Sequence, residues 1–90
     1  MNFLHGDLQL AEGDVVEVTL DHPANVQLLD PANYDLYSQG KAYRYFGGHA
    51  KESPARLVAP SPGRWHLVVD LGGGTGRVRA SYRVLSSQPA

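Results

Sequence analysis

The stretch RVRASYRVL, residues 77–85, alternates without a break: Val78, Ala80, Tyr82 and Val84 fall on one side, Arg77, Arg79, Ser81 and Arg83 on the other. A segment of period two can bury one side only as an extended strand, because successive side chains leave a pleated strand on opposite faces. Two other stretches obey the same rule. In GDVVEVTL, Val16, Val18 and Leu20 oppose Glu17 and Thr19; in RWHLVVDL, Trp65, Leu67, Val69 and Leu71 oppose Arg64, His66 and Asp70. Weaker strands read at Leu4–Leu10, Ala24–Leu29 and Ala55–Ala59. Turn formers punctuate them at Glu12-Gly13-Asp14, His22-Pro23, Asp30-Pro31, Ser61-Pro62-Gly63 and Gly72–Gly76. No helical stripe is present, and the long irregular piece from Asp30 to Pro54 admits only a helical turn around Ala32–Tyr37. The expectation is an all-β fold, an antiparallel β-sandwich or jelly-roll-like barrel of about six to eight short strands.

Ninety residues suffice for one domain, expected over 1–85 with 86–90 as a flexible C-terminal tail. A domain of this size buries only roughly 60–65% of its unfolded surface, so the core is thin and a separate cofactor domain has no room. There is no cysteine, hence no disulfide framework and no thiolate chemistry. The opening MNFLHGDLQL lacks the basic and apolar regions of a signal peptide. No apolar run reaches the ~18 residues of a membrane span. A cytoplasmic protein is expected.

The net charge of −1 conceals a split. Residues 1–40 hold seven acidic and no basic residues, whereas residues 41–90 hold all eight basic residues beside only Glu52 and Asp70. Such a split suits either a basic nucleic-acid surface or acidic early strands paired with basic late ones. Near-neutrality overall favours the second, so no nucleic-acid partner is expected.

VVDLGGGTG, residues 68–76, looks like a nucleotide or S-adenosylmethionine loop. Such a loop must follow a parallel strand and open a helix whose N-terminus faces the cofactor. Here the fourteen residues after Gly76 alternate as a strand and contain no acidic residue. The glycines are therefore expected to form a hairpin turn between two antiparallel strands, with no cofactor.

Catalytic and metal sites are not expected. His5, His22, His49 and His66 show no ligand spacing. His66 could pair with Asp70 along one strand face, but no nucleophile adjoins them, and no serine sits in a strained elbow.

The best recognition candidate is NYDLYSQGKAYRYFGGHAK, residues 33–51. It sets Tyr34, Tyr37, Tyr43, Tyr45 and Phe46 beside Lys41, Arg44, His49 and Lys51. Rings supply contact area at low entropy cost, and cations bind anionic groups. The competing reading gives several of these rings to closing the end of a small sandwich. Tyr43 and Tyr45 would share one face of a strand, with Arg44 and Phe46 on the other. The candidate binding residues are Tyr34, Tyr37, Tyr43, Arg44, Tyr45, His49 and Lys51.

The stretches NFLHGDLQLAEGDVVEVTL, YRYFGGHAKESPARLVAPSPGRWHLVVDLGG and GRVRASYRVL together resemble a small bacterial family, the domain-of-unknown-function family numbered 1883. GGHAKESP and GRWHLVVDLGG carry the resemblance most specifically. It implies a compact bacterial β-sandwich, standing alone or attached to a TIR-type signalling domain, with no catalytic residues to carry over. The expected function is a non-catalytic recognition module for an unknown protein or small ligand, as a sensor or accessory domain in bacterial signalling. The alternatives are a protein binding a sugar or anionic group, a minimal hydrolase using His49 or His66, and self-association through open edge strands.

Overall fold

The alternating stretches form strands in the computed structural model, which describes residues 3–71 and 79–86, so that Arg77 and Val78 of the last stretch lie outside the described residues. The elements are β1 (Phe3–Leu10), β2 (Val15–Leu20), β3 (Ala24–Leu29), α1 (Pro31–Ser38), β4 (Phe46–Ala50), β5 (Ala55–Val58), β6 (Gly63–Asp70) and β7 (Ala80–Leu85). They form two antiparallel sheets, one ordered β1-β6-β3-β4 and the other β5-β2-β7. The fold is an all-β sandwich, as the periodicity requires. The core is the set of inward positions: Leu10, Val16, Val18, Leu20, Ala24, Val26, Leu28, Trp65, Leu67 and Val69 meet between the sheets. Tyr82 and Val84 lie in register with Val18 and Val16 but stay partly exposed, because β7 is the edge of its sheet.

The chain crosses between sheets at nearly every connection. Of the strands adjacent in sequence, only β3 and β4 are hydrogen-bonded to each other, and α1 lies between them. The expected hairpin between the last two strands is therefore corrected: β6 pairs with β1 and β3, while β7 pairs with β2 in the opposite sheet. Gly72–Gly76 itself lies outside the described residues. Alternation reports which face of a strand is buried, and it is silent about the neighbour that supplies the burial.

The charge split resolves into cross-strand pairs. Glu17, on the central strand of the three-stranded sheet, receives Arg83 from β7 at 2.8 Å and Arg56 from β5 at 3.1 Å. These two guanidiniums, Arg83 first, hold its carboxyl below the usual glutamate range. Arg64 of β6 grips Asp7 of β1 in the same way. The Arg79 backbone N–H donates to Asp21 Oδ1 at 3.0 Å.

A helix starts where Asp30-Pro31 announces it. Asp30 accepts the Asn33 backbone N–H at 2.8 Å as N-cap, and Pro31 takes the first turn, where no donor is needed. The eight-residue helix ends at Ser38 with Gln39 as its C-cap, and Gly40 follows with a φ of +72° that is open to glycine at little cost. No residue of α1 is fully buried. Apolar burial alone does not hold such a helix in place.

Candidate functional site

What holds α1 is the outer face of the four-stranded sheet. Alternation sends Arg64, His66, Val68 and Asp70 of β6 to that face, flanked by His5 and Asp7 of β1, Asn25 and Gln27 of β3, and His49 of β4. Sequence alone assigns most of these positions to a solvated surface. Instead α1 and the segment after it lie over them, leaving His66 only 8% and Asp70 only 7% exposed.

The contacts are polar and aromatic. Tyr37 donates its hydroxyl to Asp70 Oδ2 at 2.8 Å, and Asn25 Nδ2 donates to Asp70 Oδ1 at 3.1 Å. His49 Nδ1 donates to Asn25 Oδ1 at 3.3 Å, extending the chain of bonds to the sheet edge. Burial and the neighbouring Asp70 push ionisation of the Tyr37 hydroxyl far up, so it remains a donor. Tyr43 donates to Gln27 Oε1 at 2.8 Å, and burial raises its hydroxyl as well.

Tyr34 lies flat against two histidines, with ring centroids 4.5 Å from His5 and 4.2 Å from His66. The histidines in turn meet edge to edge, His5 Nε2 standing 2.7 Å from His66 Nδ1. Sequence spacing did not suggest this pair, since 61 residues separate them. The β1–β6 register sets Asp7 opposite His66 and His5 opposite Val68, which brings the two rings together diagonally. His66, which could have paired with Asp70 along the strand, turns to His5, and Asp70 accepts from Asn25 and Tyr37.

Seven candidate binding residues divide into three groups. Tyr34, Tyr37 and Tyr43 are half-buried and fasten the segment to the sheet. Arg44 and Tyr45 stand outward, Tyr45 at 47% exposure, and Phe46 follows at 51% with its edge on Trp65. Residues 41–45 are not a strand, contrary to the expected alternation; β4 begins only at Phe46. Their backbone is placed by the Arg44 N–H, which donates to Asn33 Oδ1 at 2.8 Å. A shallow cleft lined by Asn33, Leu36, Ala42, Tyr43 and Arg44 runs beside this strut. His49 and Lys51 are not gathered with them. His49 lies at the far end of β4, and Lys51 lines a second cleft with Asp21, His22, Pro23 and Ser53.

Arg56, Arg64 and Arg83 are each matched to a carboxylate. Among the described residues, Lys41, Arg44, Lys51 and Arg79 belong to no ion pair, and of these only Arg44 adjoins the exposed Tyr45 and Phe46 rings. Ser53, which lines the second cleft with Asp21 and His22, accepts the Leu20 backbone N–H at 2.9 Å.

A protein-family model matches residues 1–88, and its description is a domain of unknown function, DUF1883. No curated protein and no solved structure matches the chain.

Proposed function

The chain belongs to the DUF1883 family, and from that premise we propose that it is a non-catalytic recognition module that engages an anionic partner through Arg44, Tyr45 and Phe46. The observation that carries this reading is the combination of two exposed rings with an unpaired guanidinium on a segment whose backbone is pinned. Tyr43–Gln27 and Arg44–Asn33 order the segment before any partner arrives, so little conformational entropy remains to be lost on binding. Exposed aromatic groups beside arginine make effective contact centres once water is excluded from them. A cytoplasmic accessory role in bacterial signalling suits a small domain with such a surface. The sugar or small-anion alternative would use the cleft beside Asn33 and Arg44; for the hydrolase alternative, among the described residues no serine or threonine hydroxyl is bonded to His49 or His66.

A photo-crosslinking amino acid placed at position 45 tests this reading in cells that make the protein. A discrete adduct is expected from position 45 and not from position 19, on the outer face of the other sheet. Arg44→Glu should lower its yield at least about tenfold, because a repelled charge acts on association and retention together. Equal adducts from both positions, or a yield indifferent to Arg44→Glu, would overturn the proposal.

A further inference from the structure

Beneath Tyr34 of α1, β1 and β6 are joined by a side-chain bond that a fixed support does not require. His5 Nε2 and His66 Nδ1 stand 2.7 Å apart, a distance at which one nitrogen must donate and the other accept. We propose that the His5–His66 pair is a proton-operated latch, which keeps α1 on the sheet while at most one extra proton is bound and releases it when both rings are protonated.

The chemistry follows from the inventory of imidazole donors. With both rings neutral, one ring donates its N–H and the other accepts with its lone pair. One extra proton preserves this arrangement, since a charged ring still donates to a neutral one and the bond is strengthened. A second proton leaves no lone pair between the two nitrogens. Two N–H groups and two positive charges then face each other, and the rings must separate. Tyr34 stacks on both rings at once, so separation removes at least one of its stacking partners.

The surroundings resist the second proton. Asp7 from β1 and Asp35 from α1 favour a charge on His66, while Arg64, His5 and burial oppose it. Asp7 is already bound to Arg64, and β3 presents the apolar Leu29 opposite His66. Opposition prevails: burial first, and His5 next, hold His66 below the ordinary histidine value of 6.5. The docked form therefore binds fewer protons than the released form once pH drops below that value. Docking weakens as pH falls, by up to about tenfold per pH unit for one proton, until the docked pair itself protonates.

Imidazole nitrogen shifts and backbone amide exchange, followed by NMR from pH 8 to 4.5 on the full chain without any partner, test the latch. The expected result is two protonation steps at the pair. Protection of α1 amides should fall about tenfold per pH unit, after correction for intrinsic exchange, between the ordinary histidine range and the second step. Protection of β6 amides should stay unchanged. His66→Gln should make α1 protection nearly independent of pH, whereas His5→Gln removes the facing charge but leaves His66 buried, and should reduce the total loss of protection without abolishing it. His5 is exposed, so His5→Gln serves even if the change at the buried His66 impairs folding. Flat α1 protection through the second step, or a loss of protection in His5→Gln as large as in the parent protein, would overturn the latch. No partner is present in this measurement, so its failure leaves the recognition surface untouched, and the reverse holds as well.

Discussion

Gly47→Ala is expected to destabilise the fold by about 3 kcal/mol, lowering the thermal midpoint by roughly 15 °C. Gly47 has a φ of +125°, a backbone region that side chains rarely enter. A Cβ there would stand 2.2 Å from the Val26 carbonyl oxygen and 3.2 Å from Leu57 Cδ2. The oxygen belongs to β3, which is bonded on one side to β4 and on the other to β6, so it has little freedom to retreat. Gly40→Ala is the useful comparison. Its φ of +72° is also unfavourable to a side chain, but its surroundings are open, and a loss of about 1 kcal/mol is expected. Thermal unfolding followed by circular dichroism measures both. Equal small shifts would show that β4 does not approach β3 as described. Gly47 also matters for the surface, because it sets the direction in which β4 leaves Tyr45 and Phe46.

The second large effect is expected at Leu67, where alanine should destabilise by about 3 kcal/mol in urea unfolding without a change in slope. Leu67 is fully buried on β6, between Gly6 of β1 and Leu28 of β3. Gly6 offers no side chain to fill the gap, and Leu28 is itself fully enclosed. In a small domain, this loss is a large part of a total stability of about 5–15 kcal/mol. A cost below about 1 kcal/mol would mean that the two sheets close over the cavity.

Much of this architecture is legible in the sequence, for physical reasons that also mark the limit. Val16, Val18 and Leu20 against Glu17 and Thr19 could hardly be anything but a half-buried strand, and β2 has those bounds to within one residue. The pairing of Glu17 with late arginines was legible from the charge split, though not that two would converge on one carboxylate. Strand neighbours were not legible. Alternation carries no label for its partner, so the passage from β6 to β7 looks like a hairpin although the two strands lie in different sheets.

The same gap hid the support for the recognition surface. His5 and His66 each occupy outward positions that look solvated, and only the β1–β6 register and the helix above them make a pair. The helical turn expected around Ala32–Tyr37 did locate α1, which spans Pro31–Ser38. Its docking depended on outward polar residues of three different strands, a combination with no sequence period.

The central claim is that Tyr34, Tyr37 and Tyr43 hold the aromatic segment while Arg44 and Tyr45 are presented by it. Thermal unfolding of the double variant Arg44→Ala/Tyr45→Ala, beside Tyr34→Ala, tests this most directly. The double variant should melt within about 3 °C of the parent protein, as exposed side chains contribute little to stability and Tyr45 loses only its tilted contact with Tyr43, at a centroid distance of 5.6 Å. Tyr34→Ala should melt roughly 10 °C lower, having lost both histidine stacks. A double variant that melts as low as Tyr34→Ala would make Arg44 and Tyr45 part of the packing and contradict the account.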